Sequence, residues 1–220
     1  MKSACKRSWR TWLQRLLRSE RGNVTVEFVI IMPVMLMLML GFTEVYMYMR
    51  AVSSVEHVAF TLADSIGQMP GIVNSTDTST ANSLGSIWKA ATLLAAPYDL
   101  KTNGMVYVTS VCDTTTKCGP MSPSFAAMAA GTPTISWQAK SSWSGSAQAS
   151  AKSTITSTSI LPSTWPFRNG DSAVVVEVFM SYTPYVMTSR FWTKAPGTQT
   201  IYRRVYVRQR SAQPLALASQ

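Results

Sequence analysis

Charge is what this chain has least of. Charged residues make up 14% of its 220 residues, against roughly 25% in soluble globular proteins. That is too few to clothe an ordinary cytosolic enzyme. Histidine is nearly absent, with His57 alone, and there are three cysteines. Material for a transition-metal site is therefore missing, and neither a metal nor a cofactor is expected. Intrinsic disorder is excluded by an apolar content of 46%, because disorder goes with low hydrophobicity and high charge. Enzyme signatures are absent as well: the chain holds no G-x-S-x-G, H-E-x-x-H, Walker A or G-x-G-x-x-G. A Ser–His or Cys–His pair would have to use His57, which has no local signature around it. The chain is not expected to be an enzyme. Asp77-Thr78-Ser79-Thr80-Ala81 falls short of a D-x-S-x-S metal loop at Ala81 and reads as a plain loop.

The charge that is present is concentrated. The formal net charge is +10, and residues 1–22 hold Lys2, Lys6, Arg7, Arg10, Arg15, Arg18 and Arg21 against Glu20. A nucleic-acid binder carries its basic surface on the folded body, so nucleic acid is not an expected partner. A basic flank beside an apolar run marks instead the cytoplasmic side of a membrane span. In the leader, Trp9, Trp12, Leu13, Leu16 and Leu17 share one helical face, which suits the cytoplasmic membrane surface.

The apolar run follows at once. Phe28–Met49 carries one charge, Glu44. As a helix it is about 33 Å long, enough to cross the hydrocarbon core of a bilayer. Val29–Leu40 shows no polar stripe, which separates it from a buried core helix. Tyr46 and Tyr48 stand at the far end, where an interfacial aromatic belt belongs. Beyond Arg50 the period changes: Val52, Val55, Ala59, Leu62, Ile66 and Met69 recur at three- and four-residue steps with polar residues between them. One continuous helix is expected, with Pro33 accommodated by a kink and Gly67 and Pro70 at its end. The division is a leader at 1–22, a transmembrane segment at 23–49, an amphipathic extension at 50–69 and an outer domain at 70–220.

The fold class expected is α+β: a long N-terminal helix packed on a small antiparallel sheet of about four strands. Residues 71–83 read as a loop, and Leu84–Ala95 as a short amphipathic helix stopped by Pro97. Met105–Cys112, Thr134–Ala139, Ala173–Tyr182 and Thr198–Arg208 read as strands, the third central and the fourth paired or at an edge. Residues 141–164 contain 13 Ser or Thr in 24 and read as a mobile polar loop, with a weak strand at Thr154–Ile160. Arg203, Arg204, Arg208 and Arg210 read as the solvated side of a strand or an edge guard. The last residues, with Pro214, read as a ragged tail. Cys5 lies in the leader; Cys112 and Cys118 lie outside and are expected to form a disulfide in an oxidising compartment, with two free thiols as the alternative.

The junction carries the functional signal. In Arg21-Gly22-Asn23-Val24-Thr25-Val26-Glu27-Phe28, a small residue separates leader from span, and a carboxylate follows five residues later, almost inside the apolar run. A carboxylate there is costly unless compensated. Cleavage between Gly22 and Asn23 creates an ammonium within one helical turn of Glu27, or within reach of a neighbouring chain's Glu27.

These residues resemble a type IV prepilin cleavage site, a basic leader ending in glycine with glutamate as the fifth residue of the mature chain. More narrowly, Arg21–Asp64 is similar to the TadE-like family of tight-adherence pilus systems, through Arg21-Gly22, Val26-Glu27-Phe28, Pro33, the Leu/Met run, Gly41, Glu44 and Val55-Glu56-His57-Val58-Ala59. The segments VVVEVFMSYTPYV and TIYRRVYVRQR are also similar to C-terminal strands of that family. Methionine stands where the family more often has leucine, and the polar Asn23-Val24-Thr25 where small residues are common. The resemblance implies a pseudopilin of the bacterial inner membrane, single-pass, with a cytoplasmic N-terminus and a periplasmic domain. It also implies cleavage by a prepilin peptidase, Glu27 and Phe28 as recognition and assembly residues, and other pilins and the pilus assembly platform as partners. The competing expectation is an uncleaved single-span envelope adaptor. An ordinary secretory signal ending at Ala51-Val52-Ser53 fits less well, because its apolar region exceeds the usual 7–15 residues.

Overall fold

The computed structural model describes residues 23–115, 117–119, 129–185, 197–211 and 213–219. The leader, with Cys5, its amphipathic face and Gly22, lies outside the described residues. The chain divides into two compact units, residues 1–47 and 48–220.

Helix α1 spans Asn23–Gly67, 45 residues, or about 67 Å. Leu and Met, strong helix formers, fill most of the stretch Met32–Leu40. It runs without a break through Pro33. It ends at Gly67 rather than at Met69, with Pro70 unable to continue it.

The second unit is built on an antiparallel sheet. Its strands are β2 (Gly104–Asp113), β3 (Pro133–Lys140), β4 (Ser172–Tyr182) and β5 (Gln199–Arg208), in the order β3-β2-β4-β5. The expected four strands are all present. β4 is central and β5 is at the edge. The α+β class stands: a long N-terminal helix and a small four-stranded antiparallel sheet.

Two further strands flank this core. β1 (Gly71–Asn74) pairs in parallel with β6 (Ala216–Ser219). The expected loop at 71–83 therefore begins as a strand, and the expected tail ends as its partner. Leu215, buried before β6, accepts hydrogen bonds at its carbonyl from Ser110 Oγ at 3.1 Å and Trp137 Nε1 at 2.7 Å. Helix α2 (Leu84–Leu94) starts at Ser83, whose hydroxyl accepts the Ser86 N–H, and buries Leu84, Ile87, Trp88 and Ala91. A single-turn helix, α3 (Leu100–Asn103), capped by Asp99, leads into β2. A turn this short has no periodicity from which to be read.

The sheet has two faces, and the alternation of β5 shows them. Val207 meets the end of α1: a Cβ added at Gly67 would lie 2.8 Å from its Cγ1. Arg203, on the same face by the period of two, reaches Glu56 of α1 at 3.8 Å. Val174, Val176 and Val178 of β4, paired with Val207, Val205 and Arg203, line this face and are fully buried. Val55, Val58, Leu62 and Ile66 supply the buried side of α1. Further ties are Arg210 to Asp64 at 2.6 Å, the Arg210 N–H to the Gly67 carbonyl at 2.9 Å, and the edge-to-face pair Tyr48–Tyr182.

The other face carries Tyr107, Val111, Ala173, Val175, Glu177, Phe179, Tyr202 and Tyr206. It is covered by the Ser/Thr-rich segment. Ile155 and Ile160 of that segment pack with Val111, Ala173 and Val175, while Ala149 and Ala151 pack against Met105, Tyr107 and Phe179. The segment is thus a cover laid on the sheet, not the free polar loop its composition suggests. The expected strand at Thr154–Ile160 is reduced to one bridge, Thr156 with Ser159. Its polarity is used internally. Glu177, fully buried in mid-β4, accepts from Thr154 N–H at 3.0 Å, Thr154 Oγ1 at 2.5 Å, Tyr202 OH at 2.7 Å and Ser153 Oγ.

The arginines of β5 and its exit lie on the edge strand and beside it, half-exposed to exposed as expected, and they also make contacts. Arg204 stacks on Tyr206 at 5.0 Å and donates to Thr154 Oγ1 at 3.2 Å. Arg208 pairs with Asp171 at 3.2 Å.

Cys112, at the end of β2, is bonded to Cys118 with Cα atoms 5.2 Å apart. The backbone passes through left-handed conformations at Lys117 and Cys118 to return under the strand. The expected disulfide is present. Beside it Asp113 is fully buried. Burial opposes the charge of this carboxyl, but N–H groups donated by Gly170, Thr132 and Thr115 outweigh it and hold the pKa below the usual carboxylate range.

Candidate functional site

The candidate site is the N-terminal part of α1. Its residues were flagged by composition, and the helix shows what they offer. From Val24 to Phe42 almost every large apolar side chain is exposed: Phe28 at 61%, Met37 at 67%, Phe42 at 74%. The 18-residue window that qualifies as a span has a mean hydropathy of 2.3, and none of it is buried within the chain. Monomeric soluble proteins rarely leave an apolar surface of this extent in water. Among the described residues one helix is long and apolar enough to cross a bilayer, and this fits a single-pass membrane protein.

The backbone in this part meets the demands of lipid. A helix satisfies its own N–H and C=O groups, which a bilayer core cannot do for it. The one hydroxyl deep in the run, Thr43 Oγ1, donates to the Met39 carbonyl one turn back at 2.8 Å, a bond that removes its need for water. Glu44 is buried and engaged.

Glu27 differs. It is exposed in the second turn of the helix and has no hydrogen-bond or ion-pair partner among the described residues. Asn23, the first helical residue, stands four positions earlier. Residues four apart lie on one face, one above the other. An ammonium at the Asn23 nitrogen would therefore sit over the turn that carries Glu27. Phe28, next to Glu27, is exposed on the apolar surface. The structure thus brings Asn23, Glu27 and Phe28 into adjacent turns, while Gly22, the other half of the expected cleavage site, lies outside the described residues. Cys112 and Cys118 belong to a separate structural element, the end of β2.

Among the described residues no group of three or more His, Cys, Asp or Glu is placed to hold a metal ion. Asp77, the start of the incomplete metal loop, is exposed and bonded within its own turn: Ser79 donates from both its N–H, at 3.1 Å, and its hydroxyl. These bonds hold its pKa below the ordinary value.

One residue was missed by sequence reasoning. Glu177 is a lone carboxylate inside the apolar strand Ala173–Met180. Its position alone signalled burial, and a buried carboxylate demands donors. The Ser/Thr-rich segment that supplies them precedes it directly in the chain.

Comparison with known proteins adds one finding. Residues 22–64 match the family described as TadE-like protein. The match begins at the glycine of the junction and ends in the last turns of α1. No curated protein and no solved structure matches the chain.

Proposed function

We propose that the protein is a pseudopilin, a minor pilin-like component acting in the assembly of tight-adherence pili, with no enzymatic activity of its own. The observation that carries this reading is the coincidence of two boundaries. The TadE-like match opens at Gly22, where the basic leader meets a helix whose exposed apolar surface holds one charge, Glu27.

The chain crosses the bacterial inner membrane once, with the leader on the cytoplasmic side, as its basic charge directs. The sheet unit lies in the periplasm, a compartment in which the Cys112–Cys118 bond persists. A prepilin peptidase removes residues 1–22. The new ammonium at Asn23 compensates Glu27, of the same chain or of a neighbouring pilin, at the lipid boundary where a lone carboxylate is poorly solvated. Phe28 and the residues beyond it supply the apolar surface on which other pilins and the assembly platform pack.

N-terminal sequencing and intact mass of the chain extracted from membranes test this. In cells with an intact prepilin peptidase the mature chain is expected to begin at Asn23. A Gly22→Val substitution, which puts a branched side chain where the peptidase expects none, is expected to leave the precursor uncut. Mature protein that still carries residues 1–22 would refute the processing and support an uncleaved single-span envelope adaptor in its place.

A further inference from the structure

The two edges of the four-stranded sheet are built differently. At β3 the edge is blunted. The strand opens on Pro133 and ends on Lys140, and its register with β2 shifts between Ser110 and Val111. Proline, lysine and bulges are common guards against pairing with a further strand. β5 pairs with β4 without a register shift and holds no proline in its 10 residues. Its outward backbone groups can be named. Gln209, which continues the pairing with β4, donates its N–H to the Ser172 carbonyl at 3.2 Å. Bonded residues alternate in an antiparallel pair, so the odd-numbered residues of β5 turn to β4. Thr200, Tyr202, Arg204, Tyr206 and Arg208 turn their N–H and C=O groups outward. Among the described residues these groups have one partner, Arg203 Nη1, which donates to the Tyr202 carbonyl at 3.0 Å.

Helix α1 overhangs this edge. Phe60 lies four residues after Glu56 and seven before Gly67, on one helical stripe. Glu56 meets Arg203, and Gly67 faces Val207. Phe60, between them, is thus directed toward β5, yet it is 62% exposed. The sheet ends before covering it. The other flank of α1 is closed, with Ser54 Oγ donating to the Ala95 carbonyl at 3.4 Å. Val205 and Val207, on the α1 side of β5, are only half-buried. Phe60, Val205 and Val207 therefore form an apolar ledge along a row of unpaired backbone groups. A strand with apolar side chains on one face satisfies both features at once.

We propose that the β5 edge binds an extended segment of another protein, apolar at alternate residues and polar between them, as an added strand. Main-chain bonds to Thr200–Arg208 supply the affinity, and the apolar side chains of the segment cover Phe60, Val205 and Val207. A second copy of β5 is a poor occupant. It would bring Arg203, Arg204 and Arg208 against the same three arginines, and like charges directly opposite are destabilising. A helix is excluded as occupant, because its backbone groups are already bonded within it. The inference goes beyond the pilus reading and does not depend on it, since every residue it uses lies within the sheet unit.

The test is fluorescence anisotropy of labelled peptides with the full chain in detergent. The parent probe is Glu-Val-Thr-Val-Thr-Val-Thr-Glu, blocked at both ends. Its first control is a scramble of the same composition, Glu-Val-Val-Thr-Thr-Thr-Val-Glu. Two further forms carry methyl groups on every threonine nitrogen or on every valine nitrogen. Successive N–H groups of a strand point to opposite edges, so one methylated form loses the edge that bonds β5 and the other keeps it. The parent is expected to bind with a Kd below about 1 mM, and the scramble about tenfold more weakly or worse. One methylated form is expected to bind as the parent does and the other not at all. Phe60→Ser, at an exposed position, is expected to weaken the parent about tenfold with an unchanged circular dichroism spectrum. The proposal is overturned if the parent does not bind, if the scramble binds as tightly, if the two methylated forms behave alike, or if Phe60→Ser binds as the wild type does. A wild-type dimer in sedimentation that the parent peptide disperses would place a second copy on the edge and overturn it too. None of these outcomes bears on cleavage after Gly22.

Discussion

Removing the Glu177 carboxylate tests how the sheet unit is held closed. In Glu177→Ala, four donor groups lose one acceptor: Thr154 N–H, Thr154 Oγ1, Tyr202 OH and Ser153 Oγ. A hydrogen bond to a charged group contributes about 1.5–3 kcal/mol, and an orphaned buried donor costs about 1–3 kcal/mol. Four such terms do not add, for two reasons. The hydroxyls of Ser153 and Thr154 lie at partly open positions and turn to water. The carboxylate also no longer has to be desolvated. What remains is chiefly the Thr154 N–H, the Tyr202 hydroxyl and the void left in mid-strand, together about 3 kcal/mol. For a unit of this size that is a fall in Tm of about 6–12 °C. The loss should be local first, because the orphaned groups belong to the cover. Thermal unfolding of the full chain in detergent, followed by tryptophan fluorescence, reads the first effect. Tryptic cleavage after Lys152 reads the second. The double-mutant cycle with Tyr202→Phe should show clear non-additivity, since both changes break one bond. If Glu177→Ala melts within about 2 °C of the wild type and Lys152 is no easier to cut, the cover is not held by this network.

Three further outcomes follow from named groups. Burial, and donation to Glu177, push the Tyr202 phenol up to about 12 from 10.0, against a lowering by Thr154. The folded chain thus keeps a proton that the unfolded chain loses, so stability is full below about pH 10 and falls as pH rises toward about 12. Melting across pH 8–11.5 should show this fall, flattened in Tyr202→Phe. Reduction of Cys112–Cys118, which closes a loop with a sequence separation of 6, should cost about 2 kcal/mol, the low end for disulfides because the loop is short. Alkylation without reduction, followed by peptide mapping, should find neither thiol free in chain taken from the periplasm. Glu27→Gln should insert normally, because losing a charge favours insertion, and should lose its crosslinks to pilin partners in membranes. Wild-type crosslinking would refute the role given to the carboxylate.

What was legible in the sequence was whatever a continuous pattern carries. The run from Phe28 to Met49 admits one reading because it is uniform over six turns. The stretch from Val52 to Ile66 admits one because its period is helical. The apolar block of β4 and the alternation of β5 likewise placed one strand inside the sheet and the other at its edge. The elements missed are those whose reason for existing lies elsewhere in the chain. β1 and β6 are four residues each, and β6 reads ALAS, with no β-branched residue to favour a strand. Their pairing is a tertiary fact, set by Leu215 seating under Ser110 and Trp137. The Ser/Thr-rich segment has the composition of a free loop. Only the position of Glu177 reveals that its hydroxyls face inward.

Glu27 and Glu177 pose one physical problem with two answers. Each is a single carboxylate set among apolar residues, where an uncompensated charge is costly. At Glu177 the compensation is folded into the chain: four donors from two elements converge on it and exclude water. At Glu27 no donor among the described residues does so. In water an exposed carboxylate needs none, but the surface around it, Val26, Phe28 and Ile30, is not a surface for water. On the function proposed above, its partner is made by cleavage next to Asn23 or brought by another chain. The two glutamates differ in this way because the sheet unit finishes its packing alone, whereas the N-terminal half of α1 finishes its packing only in a membrane or an assembly.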